Sequence, residues 1–424
     1  MLTVWELART AGEGLATRQA CSQPWTLTEF LGGATAGTED GPEREALARP
    51  LAQLAPRVGV IAALVPWPGS ASTSGEPRPD GHTLARKGHV RGMSNVDIAW
   101  GDGDDVLGNS SWDEFVGTTG SIFQDSRFLL TWWRDTATKN PASQFYAATF
   151  ADGGETIGVC AFELNDGTLS FAGGQDVVDY MGPAVADGRE SAVADAVVRL
   201  AFDEPRWERA HLAGLPADGP LTQALIDAFR WRVPQAEVGV HDQAPRILSA
   251  PEGYLGLLNS KRRGEVLRKR KRLEEEIGPV KVVASTPDTW SSALEQLLAW
   301  KASATPAMRD FVTEYGDFVR NLVKELAPKN AAHVVELRAQ DDRAVASAIV
   351  LTHRRTKYLY NMSYDMTTVS ASNNGLAPGV VLVSHLAEAT LEQGFVFDFL
   401  KGAQDYKVRL GGVPEGIVTL SFSR

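Results

Sequence analysis

Cysteine is scarce in this chain: two residues, Cys21 and Cys160, among 424. They lie far apart and form neither a CxxC pair nor a metal-ligand spacing. That excludes a disulfide-built scaffold and points to a reduced, cytoplasmic setting. Histidine is sparse too, with seven residues. His211, His241, His333, His353 and His385 have no Asp or Glu at ligand spacing, so no metal is assigned. No apolar run reaches the roughly 20 residues that a membrane span needs. The opening Met1-Leu2-Thr3-Val4-Trp5-Glu6-Leu7 lacks the basic and apolar regions of a secretory signal. No cysteine or Ser–His pair is placed to serve as a nucleophile, so a covalent enzyme intermediate is not expected.

What is present is a globular composition, 43% hydrophobic and 22% charged, with a net charge of -11. The length suits two to three domains. Against that acidity, Ser260–Ile277 reads S-K-R-R-G-E-V-L-R-K-R-K-R-L-E-E-E-I, and its first fourteen residues carry eight Lys and Arg against one Glu. Two readings fit. One is a solvated helix face with Arg270–Glu274 and Lys271–Glu275 pairs. The other is an anion site for a phosphate, the 3′,5′-ADP of coenzyme A or an RNA backbone.

Composition divides the chain near residue 95. Residues 1–95 read as a helical, Ala/Leu-rich extension followed by a Pro/Gly/Ser-rich linker around 66–81. Beyond it, 96–248 and 249–424 form two units with a shared element order. In the first, a helix at 127–137 precedes strands at 145–150, 157–162 and 169–171, with turns at Asp152-Gly153-Gly154 and Asn165-Asp166-Gly167. Helices at 190–202 and 221–229 follow. In the second, one helix is expected over 254–277, then a strand at 280–284 and helices at 288–301 and 308–326. Strands at 333–337, 344–352 and 358–363, a helix at 380–393, and strands at 396–399 and 417–422 complete it.

Several ordered segments carry a resemblance. They are Phe128-Leu129-Leu130-Thr131-Trp132-Trp133, Asp179-Tyr180-Met181-Gly182-Pro183, Tyr254-Leu255 with Ser260-Lys261-Arg262-Arg263, and the run from Arg268 to Leu273. Tyr358-Leu359-Tyr360-Asn361-Met362-Ser363-Tyr364-Asp365, Phe397-Asp398-Phe399-Leu400-Lys401-Gly402 and Asp405-Tyr406-Lys407-Val408-Arg409-Leu410-Gly411-Gly412 complete the set. Together they resemble the GNAT-fold acyltransferases of the CelD/BcsL-like type, relatives of the Fem-type aminoacyl transferases of peptidoglycan synthesis. The resemblance covers roughly residues 120–412. It implies an α/β fold of tandem GNAT-like domains, with mixed, mostly antiparallel sheets flanked by helices. It also implies transfer of an acyl group to an amine, and an active site in the second unit.

Acyl transfer to an amine needs an approach path, a proton acceptor and donors for a tetrahedral oxyanion. On a period-two strand Asp398 faces away from Phe397 and Phe399; it is either a catalytic carboxylate or a strand-end cap. If the Tyr406–Arg409 segment is extended, Lys407 and Arg409 share a face. The resemblance makes Lys407 the lysine that stabilises the transition state near a phosphate-bearing substrate; a charged strand edge is the alternative. Asn361, Ser363, Tyr364 and Asp365 end a strand and enter a polar loop over 366–375. Asp365 is a base or an Asx-turn residue, and Tyr364 a proton donor or a packed ring. Gly375 and Gly379 precede a helix whose N-terminus suits a pyrophosphate, although the segment departs from the (Q/R)-x-x-G-x-(G/A) loop of simple acetyltransferases. By the resemblance Arg262, Arg263 and Arg268 contact substrate phosphate. Asp179 and Tyr180, from the first unit, either line an interdomain cleft or form a turn.

The expected activity is an N-acyltransferase without a permanently bound cofactor. Its co-substrate would be a coenzyme A thioester or acyl carrier, and its acceptor an amine on a sugar, lipid or small metabolite. Two alternatives stay open: an aminoacyl-tRNA donor, with the basic helix holding tRNA, and a non-catalytic binding module of an envelope-polysaccharide system.

Overall fold

The computed structural model describes residues 96–424 apart from 204–205, 371–374, 403 and 424, and these fall in one compact unit. The helical extension and linker expected over residues 1–95 lie outside the described residues.

The first half contains β1 (Asp97–Asp102), β2 (Gln144–Asp152), β3 (Glu155–Asn165), β4 (Thr168–Phe171), the short β5 (Ala184–Val185), β6 (Arg209–Pro216) and β7 (Glu237–Ile247). The second contains β8 (Lys281–Ala284), β9 (Ala332–Arg338), β10 (Ala344–His353), β11 (Thr356–Tyr364), β12 (Val396–Asp398) and β13 (Val413–Ser423). β1–β4 and β8–β11 are antiparallel meanders. Each is followed by a crossover helix, Glu190–Asp203 or Pro378–Glu392, and a strand parallel to the last of the meander: β6 beside β4, and β12 beside β11. Both expected glycine hairpins form. Gly153-Gly154 and Asp166-Gly167 hold positive φ at both central positions, which matches the twist of a two-residue turn.

The final strands trade places. β13, last in the chain, pairs with β6 of the first half, while β7, last of the first half, pairs with β12 of the second. β7 and β13 pair with each other over nine positions, so both halves become one continuous sheet of order β1-β2-β3-β4-β6-β13-β7-β12-β11-β10-β9-β8. β7 escapes the sequence reading because E-V-G-V-H-D-Q-A-P-R-I shows no clean alternation. Its first seven residues are exposed or half-buried, and only Ala244, Pro245 and Ile247 are buried. Its place is fixed by neighbours distant in the chain.

Three local expectations differ in detail. The helix expected over 254–277 is two pieces, Tyr254–Leu257 and Ser260–Ile277, because Asn259 leaves helical geometry and accepts the Arg262 N–H as an N-cap. The polar loop after β11 opens with a short helix, Met366–Ser370. Residues Asp405–Arg409 are one helical turn rather than extended, so Lys407 is buried while Arg409 is exposed and no longer shares its face.

The halves also share an aromatic core. Phe123 meets Phe128, Tyr180 and Tyr358 at centroid distances of 5.3, 6.0 and 5.6 Å. Phe128 in turn meets Phe318 and Tyr360 at 5.8 and 6.1 Å. Phe123 is 1% exposed, so no water compensates its loss. Phe123→Ala is expected to cost about 3–5 kcal/mol, read as a shift in the urea midpoint with the slope unchanged. A cost under about 1 kcal/mol would mean that the halves do not depend on this contact.

Candidate functional site

β11 and β12 pair only from Thr356↔Val396 to Tyr358↔Asp398. Beyond that β12 ends, β11 runs on to Tyr364, and the sheet opens into a V. A bulge sharpens it. Ile349 of β10 faces Asn361 while the adjacent Val350 faces Leu359, so Tyr360 is an extra residue on β11. The Tyr360 hydroxyl donates to the Val177 carbonyl at 2.9 Å, tying the open strand to the first half. A cavity of about 460 Å³ fills the V. Its walls include Asp179 and Asp242 of the first half with Lys301, Asn361, Tyr406 and Lys407 of the second.

The floor of the V is a strained turn. Leu400 is a buried, bulky residue with φ 60°, a conformation costing about 1–3 kcal/mol that the surroundings must hold. Asp398 accepts the Leu400 N–H at 2.8 Å. The Lys407 ammonium donates to the Leu400 carbonyl at 3.0 Å and also to the Lys401 carbonyl. Asp179 accepts the Lys401 N–H at 2.8 Å, and Asp242 the Gly402 N–H at 3.2 Å. Two of the three ammonium donors of Lys407 are thus committed, and one is left for the cavity.

Electrostatics follow from burial. Lys407 is 4% exposed, and desolvation pulls its pKa down to about 8 although Asp179, Asp242 and Asp398 favour its charge. Burial raises Asp179 against the pull of Lys401 and Lys407. Burial also pushes Asp398 up to about 7, opposed by the Leu400 N–H, the Tyr180 hydroxyl and Arg246, and aided by Asp179. Tyr180 donates to Asp398 at 2.9 Å. Both line a separate cavity of about 320 Å³ with Arg246 and Tyr358. Asp398 therefore reaches the first cavity only through the Leu400 turn.

The basic helix Ser260–Ile277 docks by Val266 and Leu273. Lys271 pairs with Glu275 at 3.6 Å as expected, but Arg270 turns inward to Glu388 at 2.8 Å and Ser384 at 3.0 Å. Arg262, Lys269 and Arg409 meet Tyr406 and Val380 around a small pocket of about 30 Å³. Glu265, in the same pocket, pairs with Lys269 at 3.3 Å and Arg409 at 3.9 Å. Val380 is in the first turn of Pro378–Glu392, which starts with a proline and whose N-cap residue, Ala377, makes no side-chain hydrogen bond to it. A Cβ at Gly379 would meet the Met362 sulfur at 2.8 Å and the Tyr364 ring at 3.0 Å, so a side chain there would have to displace them; Gly375 has φ 62°.

Asp179, Asn361, Tyr406 and Lys407 thus come together at the large cavity, and Arg262, Tyr406 and Arg409 at the small one. The remaining sequence candidates stand apart. Arg263 and Arg268 bond the Leu255 and Gly264 carbonyls. Ser363 is buried opposite Ser347 of β10. Asp365 accepts from Thr367, Thr368 and Arg343. Burial works to raise its pKa, but those bonds and the guanidinium hold it below the ordinary carboxylate value. Asp242, Lys301 and Tyr360 carried no separate signal in the sequence: Asp242 lies in the unassigned β7, and the other two looked like ordinary helix and strand positions.

Because the folded pKa of Asp398 lies above its unfolded value, the native protein retains a proton that the unfolded chain releases between about pH 4 and 7. Stability from this group is present at the acid end and lost as pH rises through that window. Urea midpoints measured across it should fall more steeply for the wild type than for Asp398→Asn. Parallel profiles would show that Asp398 titrates normally.

Residues 260–408 match the acetyltransferase (GNAT) domain family. A search of curated protein sequences finds no match. Among solved structures, FemX is similar at a TM-score of 0.50 and 11% identity, over 76% of this chain and 96% of that one. L-PGS from Bacillus licheniformis gives 0.48 and 12% over 74% and 91%, and a tandem GNAT protein from the clavulanic acid biosynthesis pathway 0.40 and 13% over 77% and 98%. At such identities a likeness speaks for fold alone. Residues 96–424 have the tandem GNAT-like α/β fold implied by the resemblance, and the stretch that matches the acetyltransferase (GNAT) domain family lies within the second half.

Proposed function

We propose that this protein is an N-acyltransferase of the CelD/BcsL-like, Fem-related kind, moving an acyl group from a coenzyme A thioester or acyl carrier to an amine. The observation that carries the reading is the open V between β11 and β12, filled by the 460 Å³ cavity, with a small cationic pocket that shares Tyr406 with it. Tyr406 borders both spaces. In this reading the donor's phosphates rest against Arg262, Lys269, Arg409 and the first turn of the Pro378–Glu392 helix. Its arm follows the uncovered edge of β11, which brings the thioester carbonyl to Lys407.

The acceptor occupies the large cavity, and its neutral amine attacks the carbonyl directly. The free N–H of the Lys407 ammonium stabilises the tetrahedral oxyanion, which then collapses with loss of the thiolate. The ammonium, with its pKa near 8, is the right form for that role at neutral pH. In this reading Asp179 and Asp242, which both line the large cavity, orient the amine and take its proton, directly or through water. Asp398 acts as a positioning residue for the Leu400 turn.

The alternative, an aminoacyl-tRNA donor, is favoured by one observation: Lys261, Arg263, Arg268 and Lys271 remain exposed along the same helix. Steady-state transfer with each donor separates the two. Lys407→Met is expected to lower kcat by roughly 10²–10³-fold, and Arg262→Glu with Arg409→Glu to raise donor KM about tenfold or more. Wild-type transfer should decline above about pH 8 as Lys407 loses its proton. Full activity in Lys407→Met would remove the lysine from the mechanism. Transfer from charged tRNA alone, steeply weakened by salt, would select the alternative.

A further inference from the structure

Lys301 stands out in the wall of the large cavity. It lies near the end of the Trp290–Ala304 helix, half-buried, with its ammonium 4.9 Å from the centroid of Phe311. The other cations of this cavity already hold hydrogen bonds: Lys407 to the Leu400 and Lys401 carbonyls, with one N–H left, and Lys401 to the Gln175 carbonyl at 2.8 Å. Lys301 has no hydrogen bond or ion pair among the described residues, and burial lowers its pKa with no carboxylate to oppose it. A desolvated ammonium held only by a ring face is a costly arrangement unless something else completes it.

The carboxylates sit elsewhere in the cavity. Asp179 and Asp242 face the Lys401–Gly402 backbone, and among the described residues neither forms an ion pair with Lys301. Their bonds to the Lys401 and Gly402 N–H groups each use one oxygen and leave the other available. Asp176 has a partner in the Tyr315 hydroxyl, at 2.9 Å. The cavity thus presents acceptor oxygens beside Lys407 and a lone cation against Phe311.

Resting on the acyltransfer reading above, we infer that the acceptor is an amine that also bears an anionic group, its amine lying at Asp179 and Asp242 and its carboxylate or phosphate on Lys301. This is the chemistry of an amino acid or a phosphorylated amino sugar rather than of a simple alkylamine. Lys301 is then the residue that sets acceptor specificity, through a charge-assisted hydrogen bond to the anionic group.

The test pairs each anionic amine with its neutral counterpart: glycine with glycinamide, and glucosamine 6-phosphate with glucosamine. Binding to the full chain is measured by calorimetry without any donor, so the result does not depend on turnover. Wild type should bind at least one anionic member roughly tenfold or more tightly than its counterpart, the scale of one charge-assisted hydrogen bond. The carboxylate pair and the phosphate pair distinguish the two anion sources. Lys301→Met keeps the apolar stem over Phe311 and should abolish the preference while leaving the thermal midpoint and neutral-amine binding unchanged; Lys301→Arg should retain it. Equal binding of both members by the wild type, or a preference that survives in Lys301→Met, would overturn the anion assignment alone. If the wild type binds none of the four, the cavity is not an amine site, and the acceptor half of the functional reading falls with it.

Discussion

The exchange of β7 and β13 is the constraint on which the rest of the molecule depends. Each half is complete up to its penultimate strand and takes its final neighbour from the other. The long β7–β13 ladder at the centre then joins two meanders into one sheet, and neither half can close its own edge alone. The aromatic cluster around Phe123 and Phe128 reinforces the same junction from one face. The two repeats are therefore distinguishable in topology without being separable in packing.

The site inherits this dependence. Asp179 and Asp242 belong to the first half, yet they accept N–H groups from the Lys401–Gly402 segment of the second. The strained Leu400 turn has holders on both sides of the sheet, with Asp398 and Tyr180 behind it and Lys407 in front. Backbone in an unfavourable region persists only where several groups over-determine it. Burial of those groups shifts Asp398 and Lys407 in opposite directions, bringing both close to neutrality. Such values nominate a carboxyl and an amine as candidates for a functional site, and Asp398 touches the large cavity only through the backbone that it holds.

The basic helix divides its charges among different surroundings. Lys271–Glu275 is an ordinary surface pair, and Arg270 belongs to an interhelix contact with Glu388. Arg262 and Lys269, in contrast, reach a pocket shared with Arg409 and the uncapped start of another helix. Charge density alone could not separate these roles, because residues one position apart on a helix point about 100° away from each other.

Sequence by itself determined the local elements and their order. Glycine pairs set the hairpins, apolar periodicity set the long helices, and Phe397-Asp398-Phe399 set which way Asp398 faces. These depend on neighbours within a few residues, which is what period, capping and turn chemistry report. Only the tertiary structure decided that β7 is a strand and that Lys407 sits on a helical turn beneath a strained leucine. It alone decided that Asp365 is occupied as a cap and that Asp242 and Lys301 share a cavity with Lys407. The pairing of β7 and the shared cavity depend on groups tens to hundreds of residues apart in the chain. The residues concerned look like any other Asp or Lys until the sheet brings them together and removes the water around them.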